Sequence, residues 1–132
     1  MKKIFCEWDT IDDLVNTLAE NVANINGIKY IHGLSRGGLI PAVMLSHKLN
    51  IPYINHPSSF PKENVLIVDD IADSGLTLDR WKGYQTAVLH YKPHTSKIVP
   101  DIWATEHTGD EWVIYPWECK FSKTIQDYKL DN

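Results

Sequence analysis

The sequence predicts an α/β domain with a mainly parallel central sheet flanked by helices. Three observations predict it. Val65-Leu66-Ile67-Val68 is an unbroken aliphatic run without alternation, the pattern of a strand buried on both faces. Helical and strand patterns succeed one another along the chain. Two strand ends run straight into Gly-containing turns that open helices, at Gly33 to Gly38 and at Ser74-Gly75. The 132 residues are 43% hydrophobic and 23% charged, which excludes disorder, a collagen-like repeat and a disulfide scaffold, and predicts one domain over 1–132.

Charge and punctuation narrow the class further. Thirteen Lys and Arg against seventeen Asp and Glu give a net charge of −4, so no general attraction to nucleic acid or to an anionic membrane is expected. A local phosphate pocket remains open. No apolar run approaches the roughly 20 residues of a spanning helix, and the first residues lack a signal-like apolar stretch, so the expectation is a soluble cytoplasmic protein. Cys6 and Cys119 form no CxxC and are too few to staple a fold, so both are expected as reduced thiols.

The elements follow in order. Ile11, Leu14, Val15, Leu18, Val22 and Ile25, preceded by Thr10, form one apolar stripe at helical spacing, with Asp12 and Asp13 in the first turn. Ile28 to Ile31 reads as a strand, and Leu39 to Leu49 as a helix whose Pro41 suits an early position. Ile51 to Ile54 reads as a strand, then the Pro-containing stretch Asn55 to Asn64 as a loop. Val65 to Val68 is the central strand, followed by a helix from Leu78 to about Tyr84. Strands are expected at Thr86 to Tyr91, Ile102 to Thr105 and Trp112 to Tyr115. In the tail, Phe121, Ile125 and Tyr128 are spaced for a short docking helix, with disorder as the alternative.

The chemistry concentrates between Val65 and Thr77. A buried strand there delivers Asp69, Asp70 and Asp73, with Ser74, Gly75 and Thr77, to the mouth of a helix. In open α/β sheets ligands bind beyond the carboxyl ends of strands, and a helix N-terminus favours phosphate. Gly75 would let the backbone approach closely, and Ser74 and Thr77 carry hydroxyl donors. Two adjacent strand-end carboxylates need satisfaction, for which vicinal hydroxyls or a magnesium ion are suited.

Val65-Leu66-Ile67-Val68-Asp69-Asp70-Ile71-Ala72-Asp73-Ser74-Gly75-Leu76-Thr77 resembles the phosphoribosyl pyrophosphate (PRPP) motif of type I phosphoribosyltransferases. Gly33-Leu34-Ser35-Arg36-Gly37-Gly38-Leu39-Ile40-Pro41 is similar to the pyrophosphate loop of that family. Lys92-Pro93 and Asp110-Glu111-Trp112-Val113-Ile114-Tyr115-Pro116-Trp117-Glu118 resemble base-recognition elements of bacterial and archaeal xanthine-guanine and hypoxanthine-guanine members. The resemblance covers most of 28–118.

It implies the type I phosphoribosyltransferase fold with a small C-terminal base-binding hood, and Mg²⁺-dependent transfer of 5-phosphoribosyl from PRPP to a 6-oxopurine. The products would be a nucleoside monophosphate and pyrophosphate. Asp69 and Asp70 would hold the ribose hydroxyls and magnesium, with Glu118 as a third metal candidate. Asp73 would be the general acid/base near N7. Ala72, Asp73, Ser74, Gly75, Leu76 and Thr77 would hold the 5-phosphate, and Ser35, Arg36 and Gly37 the pyrophosphate, with a non-proline cis peptide in that loop. Trp112 would stack on the base, the Val113 carbonyl would accept from the purine, and Lys92 would donate to its 6-oxo group. The family also implies a homodimer or homotetramer.

Outside the motifs, Trp117 is expected to be structural, while Trp8, Trp81 and Trp103 stay unassigned between core and interface. The six histidines show no metal spacing and are expected as packing or surface residues. Family members usually carry a long closing loop before the PRPP motif, where this chain has about ten residues, Asn55 to Asn64. A second reading therefore stays open: a PRPP- or nucleotide-binding regulatory protein of the same fold with little or no transfer activity.

Overall fold

A computed structural model describes residues 2–118. Cys119 and the proposed stripe of Phe121, Ile125 and Tyr128 lie outside the described residues. The chain runs β1 (Lys3–Phe5), α1 (Trp8–Ala23), β2 (Tyr30–Gly33), α2 (Leu39–Leu49), β3 (Val65–Ala72), α3 (Leu76–Asp79), β4 (Gln85–Tyr91), β5 (Ile102–Glu106) and β6 (Trp112–Ile114). A four-stranded parallel sheet has the order β2-β3-β4-β5, and β1 pairs with β6 in a separate two-stranded parallel sheet.

Period-two geometry divides the β3 run between two cores. Leu66 and Val68 pack with Ile11, Val15, Leu18 and Val22 of α1 and with Ala42 and Leu45 of α2. Val65 and Ile67 face the other way, into Val88, Tyr91 and Leu78 under Trp81, Trp103, Phe60 and Tyr30. Val65, Leu66, Ile67 and Val68 are all fully buried, as an unalternating strand requires. Two helices cover one face, and aromatic side chains with short turns cover the other.

Several local expectations change. Helix α1 begins at Trp8, so Glu7 occupies the N-cap and Thr10 lies inside the first turns; Asp9 is the first-turn acid. Ile51 to Ile54 makes only the isolated parallel bridge Ile31↔Tyr53, because Pro52 and the turn at Asn55 leave no room for a ladder. The helix expected over 78–84 is a single turn, Leu76–Asp79, followed by turns to Gly83 at φ +90°. The segment 55–64 contains two 3₁₀ turns, Pro57–Ser59 and Lys62–Asn64. β1 was not expected: its exposed residues gave no alternating signal, and it is held by pairing with β6. Among the described residues no helix is long and apolar enough to cross a membrane.

Candidate active site

The site lies where the chain order of the sheet reverses. From β2 the chain passes to the Tyr53 bridge on one side and then to β3 on the other. The carboxyl ends of β2 and β3 therefore diverge and leave a crevice, where open α/β sheets bind ligands.

The loop from Gly33 to Gly38 forms one wall. Leu34 N–H donates to Val68 O at 2.9 Å and Gly38 N–H to Leu34 O at 2.8 Å, pressing the loop onto β3. A Cβ on Gly38 would overlap the Val68 carbonyl and stand 2.8 Å from Leu34 O and 2.9 Å from Asp69 Cα. A Cβ on Gly37 would run into the Asp70 carboxylate. Only glycine permits either approach. The Ser35–Arg36 peptide is cis, as the resemblance implies, and both side chains are exposed at the crevice.

Strand β3 continues through Ala72, so Asp69 and Asp70 stand within it and not in a following loop. Asp70 N–H donates to Asp69 Oδ1 at 2.9 Å, and Ile71 N–H donates to Asp70 Oδ1 at 2.8 Å. Burial pushes the Asp70 carboxyl up to about 6, the hydrogen bonds it makes pull it partly back, and the Glu118 carboxylate adds to the rise. Glu118 is itself raised by burial, opposed by the backbone N–H of Tyr115, 3.3 Å from its Oε1, and by the positive charge of Arg36.

These residues suit magnesium. That ion takes one or two protein carboxylates together with substrate phosphates and waters. Asp69 and Asp70 supply such a pair, and a carboxyl held high by burial and by a second acid gains from a nearby cation. Among the described residues no three His, Cys, Asp or Glu side chains converge as a metal cage, so Glu118 does not complete a protein-only trio.

The next turn holds Asp73. Thr95 Oγ1 lies 2.8 Å from its backbone O and 3.0 Å from its Oδ1, its one hydrogen shared between the two acceptors. Lys92 Nζ lies 3.6 Å from the same Oδ1, with the lysine side chain only 8% exposed and the aspartate 43%. Lysine is almost never this buried without a partner. The backbone fixes the pair, since Lys92 N–H donates to Ala72 O at 3.0 Å.

In the expected phosphate loop, Ser74 Oγ accepts from Leu76 N–H at 3.2 Å, so that amide is already engaged. Gly75 approaches the turn at Ser96 to Ile98 and not open space: a Cβ there would lie 2.8 Å from Ile98 N and Ser96 Oγ. Thr77 and Ser35 line a cleft of about 250 Å³ with His32, Tyr53, Asn55, Arg80 and Trp81. Trp112 and Val113 belong to β6 in the small sheet, with Val113 buried and Trp112 partly open.

Sequence reasoning missed the supports behind these groups. Tyr115 O–H donates to Asp70 O at 3.1 Å, and His90 Nδ1 lies 2.8 Å from the same hydroxyl. A histidine in the otherwise apolar run Ala87 to Tyr91 was the available signal. Trp117 stacks on Tyr115 with centroids 4.8 Å apart, in keeping with the structural role expected of it.

No protein-family model matches the chain. Individual relatives do. The xanthine-guanine phosphoribosyltransferase of Cereibacter sphaeroides is 30% identical, the alignment covering 89% of this chain and 87% of that enzyme. The enzyme of the same description from Idiomarina loihiensis is 26% identical, with 89% and 88% covered. The solved structure of a purine phosphoribosyltransferase from Pyrococcus horikoshii is 31% identical, with a TM-score of 0.76 over 96% of this chain and 100% of that one. A Helicobacter pylori xanthine-guanine-hypoxanthine phosphoribosyltransferase, at 20% identity and a TM-score of 0.73, shares the fold. With a relative at this identity spanning nearly the whole chain, and with a parallel-sheet α/β fold shared with a solved purine phosphoribosyltransferase, the protein belongs to the type I phosphoribosyltransferases.

Proposed function

We propose that the protein transfers a 5-phosphoribosyl group from PRPP to a 6-oxopurine (xanthine, guanine or hypoxanthine) with magnesium bound, releasing pyrophosphate. The observation that carries this reading is the buried Lys92 held 3.6 Å from Asp73. O6 and N7 lie side by side on one edge of a 6-oxopurine. An ammonium beside a carboxylate matches an acceptor O6 next to a protonated N7, with Lys92 donating to the first and Asp73 accepting from the second. Adenine would turn its 6-amino donor toward Lys92, which has no lone pair to accept it.

The remaining groups take roles consistent with that pose. Asp69 and Asp70 hold the ribose hydroxyls and the magnesium. When bound, the ion supplies neutralisation of pyrophosphate charge as the glycosidic carbon becomes electron-poor. Arg36 and the amides of the Ser35–Gly37 loop face the departing pyrophosphate, and the turn from Ala72 to Thr77 holds the 5-phosphate. Asp73 takes the proton from the purine as the new bond forms. Trp112 covers the base and the Val113 carbonyl accepts from its ring edge.

A specific observation favours a second reading, a PRPP-binding regulator with little transfer. The segment 55–64 is short and tied down: Pro57 is buried, Phe60 lies 4.2 Å from the Tyr30 ring, and Asn64 Nδ2 donates to Gly27 O at 2.7 Å. It offers little reach to exclude water over the crevice. The test is pyrophosphate release from PRPP and Mg²⁺ with hypoxanthine, guanine, xanthine, adenine and orotate, with Asp73→Asn as control. Turnover on 6-oxopurines alone that collapses in the variant supports the transferase; PRPP binding without turnover on any base supports the regulator.

A further inference from the structure

We propose that Tyr115 and His90 are positioning residues that set the Asp70 end of β3 for substrate, by holding the Asp70 carbonyl through the buried Tyr115 hydroxyl. Val68 O points toward β2 and accepts from Leu34 N–H at 2.9 Å. The face alternation of β3 shifts beyond Val68, since Val68 and Ile71 both pack into the α1–α2 core while Ala72 turns to the other core. β2 has ended there at Gly33, paired with Val68, and the chain has turned off into the Ser35–Arg36 loop. The Tyr115 hydroxyl, carried in after β6, donates to Asp70 O at 3.1 Å, beyond the end of the β2 ladder.

The proton order in the chain is fixed. Tyr115 has one hydroxyl hydrogen and gives it to Asp70 O, so its contact with His90 at 2.8 Å is made by Nδ1–H donating to the phenol oxygen. Burial, with His107 nearby, lowers His90 to about 4. His90 is therefore a neutral one-proton donor at physiological pH. Tyr115 is 2% exposed and His90 8% exposed, so water has little access to replace either bond.

Loss of the hydroxyl frees the Asp70 peptide, and with it the carboxylate whose Oδ1 is tied to Ile71 N–H. This inference rests on the proposed role of Asp69 and Asp70 in holding PRPP and magnesium. Lys92 and Trp112 lie two and three residues from His90 and Tyr115 but are held by backbone bonds of their own, Lys92 N–H to Ala72 O and Trp112 N–H to Lys2 O, so base recognition is spared.

The experiment compares Tyr115→Phe, His90→Leu, His90→Asn and Tyr115→Phe/His90→Leu. Tyr115→Phe keeps the ring on Trp117, and Asn places an amide donor near the Nδ1 position. Affinity for PRPP with Mg²⁺ is read by calorimetry, KM for PRPP and for the base by pyrophosphate release, and amide exchange at Asp70 and Ile71 by NMR. Tyr115→Phe and His90→Leu are expected to weaken PRPP affinity and raise its KM about tenfold, a buried acceptor losing its donor. KM for the base stays unchanged, and exchange rises at Asp70 and Ile71 only. The double variant loses little more than either single one, and His90→Asn stays near the parent. Unchanged PRPP affinity in Tyr115→Phe overturns the inference, as does an equal loss for base and PRPP with exchange rising throughout the sheet. If the parent binds PRPP but turns over no base, the transferase reading fails while the affinity comparison still decides this one; if it binds no PRPP, both fail.

Discussion

Two adjacent glycines on the crevice loop separate function from stability, because an added methyl group meets different atoms at each. At Gly38 the Cβ would overlap Val68 O and stand 2.8 and 2.9 Å from Leu34 O and Asp69 Cα, where ordinary contact begins near 3.4 Å. All three are backbone atoms in hydrogen-bonded structure, so no rotamer change relieves them. Overpacking of this kind costs about 1–3 kcal/mol, and with three backbone overlaps the upper end applies. For a chain of this size that corresponds to a melting temperature lowered by roughly 10 °C. At Gly37 the atoms met are those of the Asp70 carboxylate, with Cγ at 2.6 Å and Oδ1 at 3.0 Å. That side chain can rotate away by giving up the Ile71 N–H bond at 2.8 Å. Beside the open crevice, water replaces much of that bond, leaving a net cost of about 1 kcal/mol. The carboxylate is then displaced from the position in which it would meet ribose and magnesium, and PRPP affinity falls by about tenfold or more. Thermal melting and calorimetric titration of PRPP with Mg²⁺ on Gly37→Ala and Gly38→Ala check both halves. Parent-like PRPP affinity in Gly37→Ala, or a larger melting loss there than in Gly38→Ala, refutes the reasoning.

Further outcomes follow from the same geometry. Lys92→Met raises KM for a 6-oxopurine by roughly tenfold or more while PRPP affinity holds, since only the base edge loses a donor; initial rates at varied base and varied PRPP separate the two. Asp70, pushed up to about 6, ionises as pH rises through that value, so Mg²⁺-dependent PRPP binding strengthens between about pH 5 and 7, and the step flattens in Asp70→Asn. His90 gives the opposite sign of dependence to an acid with a raised folded value: its folded pKa of about 4 lies below the usual 6.5, so the unfolded chain binds the extra proton first. Its contribution to stability is full above about pH 6.5 and is lost as pH falls toward 4. Denaturant unfolding across that range shows the decline, and His90→Asn reduces it.

Much of this protein was legible in one dimension because the signals were short-range. The unalternating Val65 to Val68 run announced a strand buried on both faces, and the helical stripe of Ile11, Val15, Leu18 and Val22 announced its cover; each is a periodicity of consecutive residues. The Asp69-Asp70 pair and the Gly33 to Gly38 turn were legible for the same reason, since one strand and one loop carry each whole. Where the signal was weak, tertiary contact decided. Lys3–Phe5 has exposed side chains and became a strand only because β6 offered it a ladder, while Ile51 to Ile54 had the composition of a strand and kept a single bridge. The helix expected over 78–84 shrank to one turn as Trp81 and Tyr84 were drawn into the sheet's aromatic face.

By itself, then, the sequence determined the parallel α/β architecture and the residue types gathered at its strand ends. Only the tertiary structure decided which of them meet. Lys92 and Asp73 are nineteen residues apart and become neighbours because β3 and β4 lie side by side in parallel register. Tyr115 reaches Asp70, forty-five residues away, because the chain brings it back beside the end of β3 after β6 has paired with β1. Such pairings follow from where strands stop and which edges they leave open, and the free energy of satisfying a buried carbonyl depends on the whole fold around it.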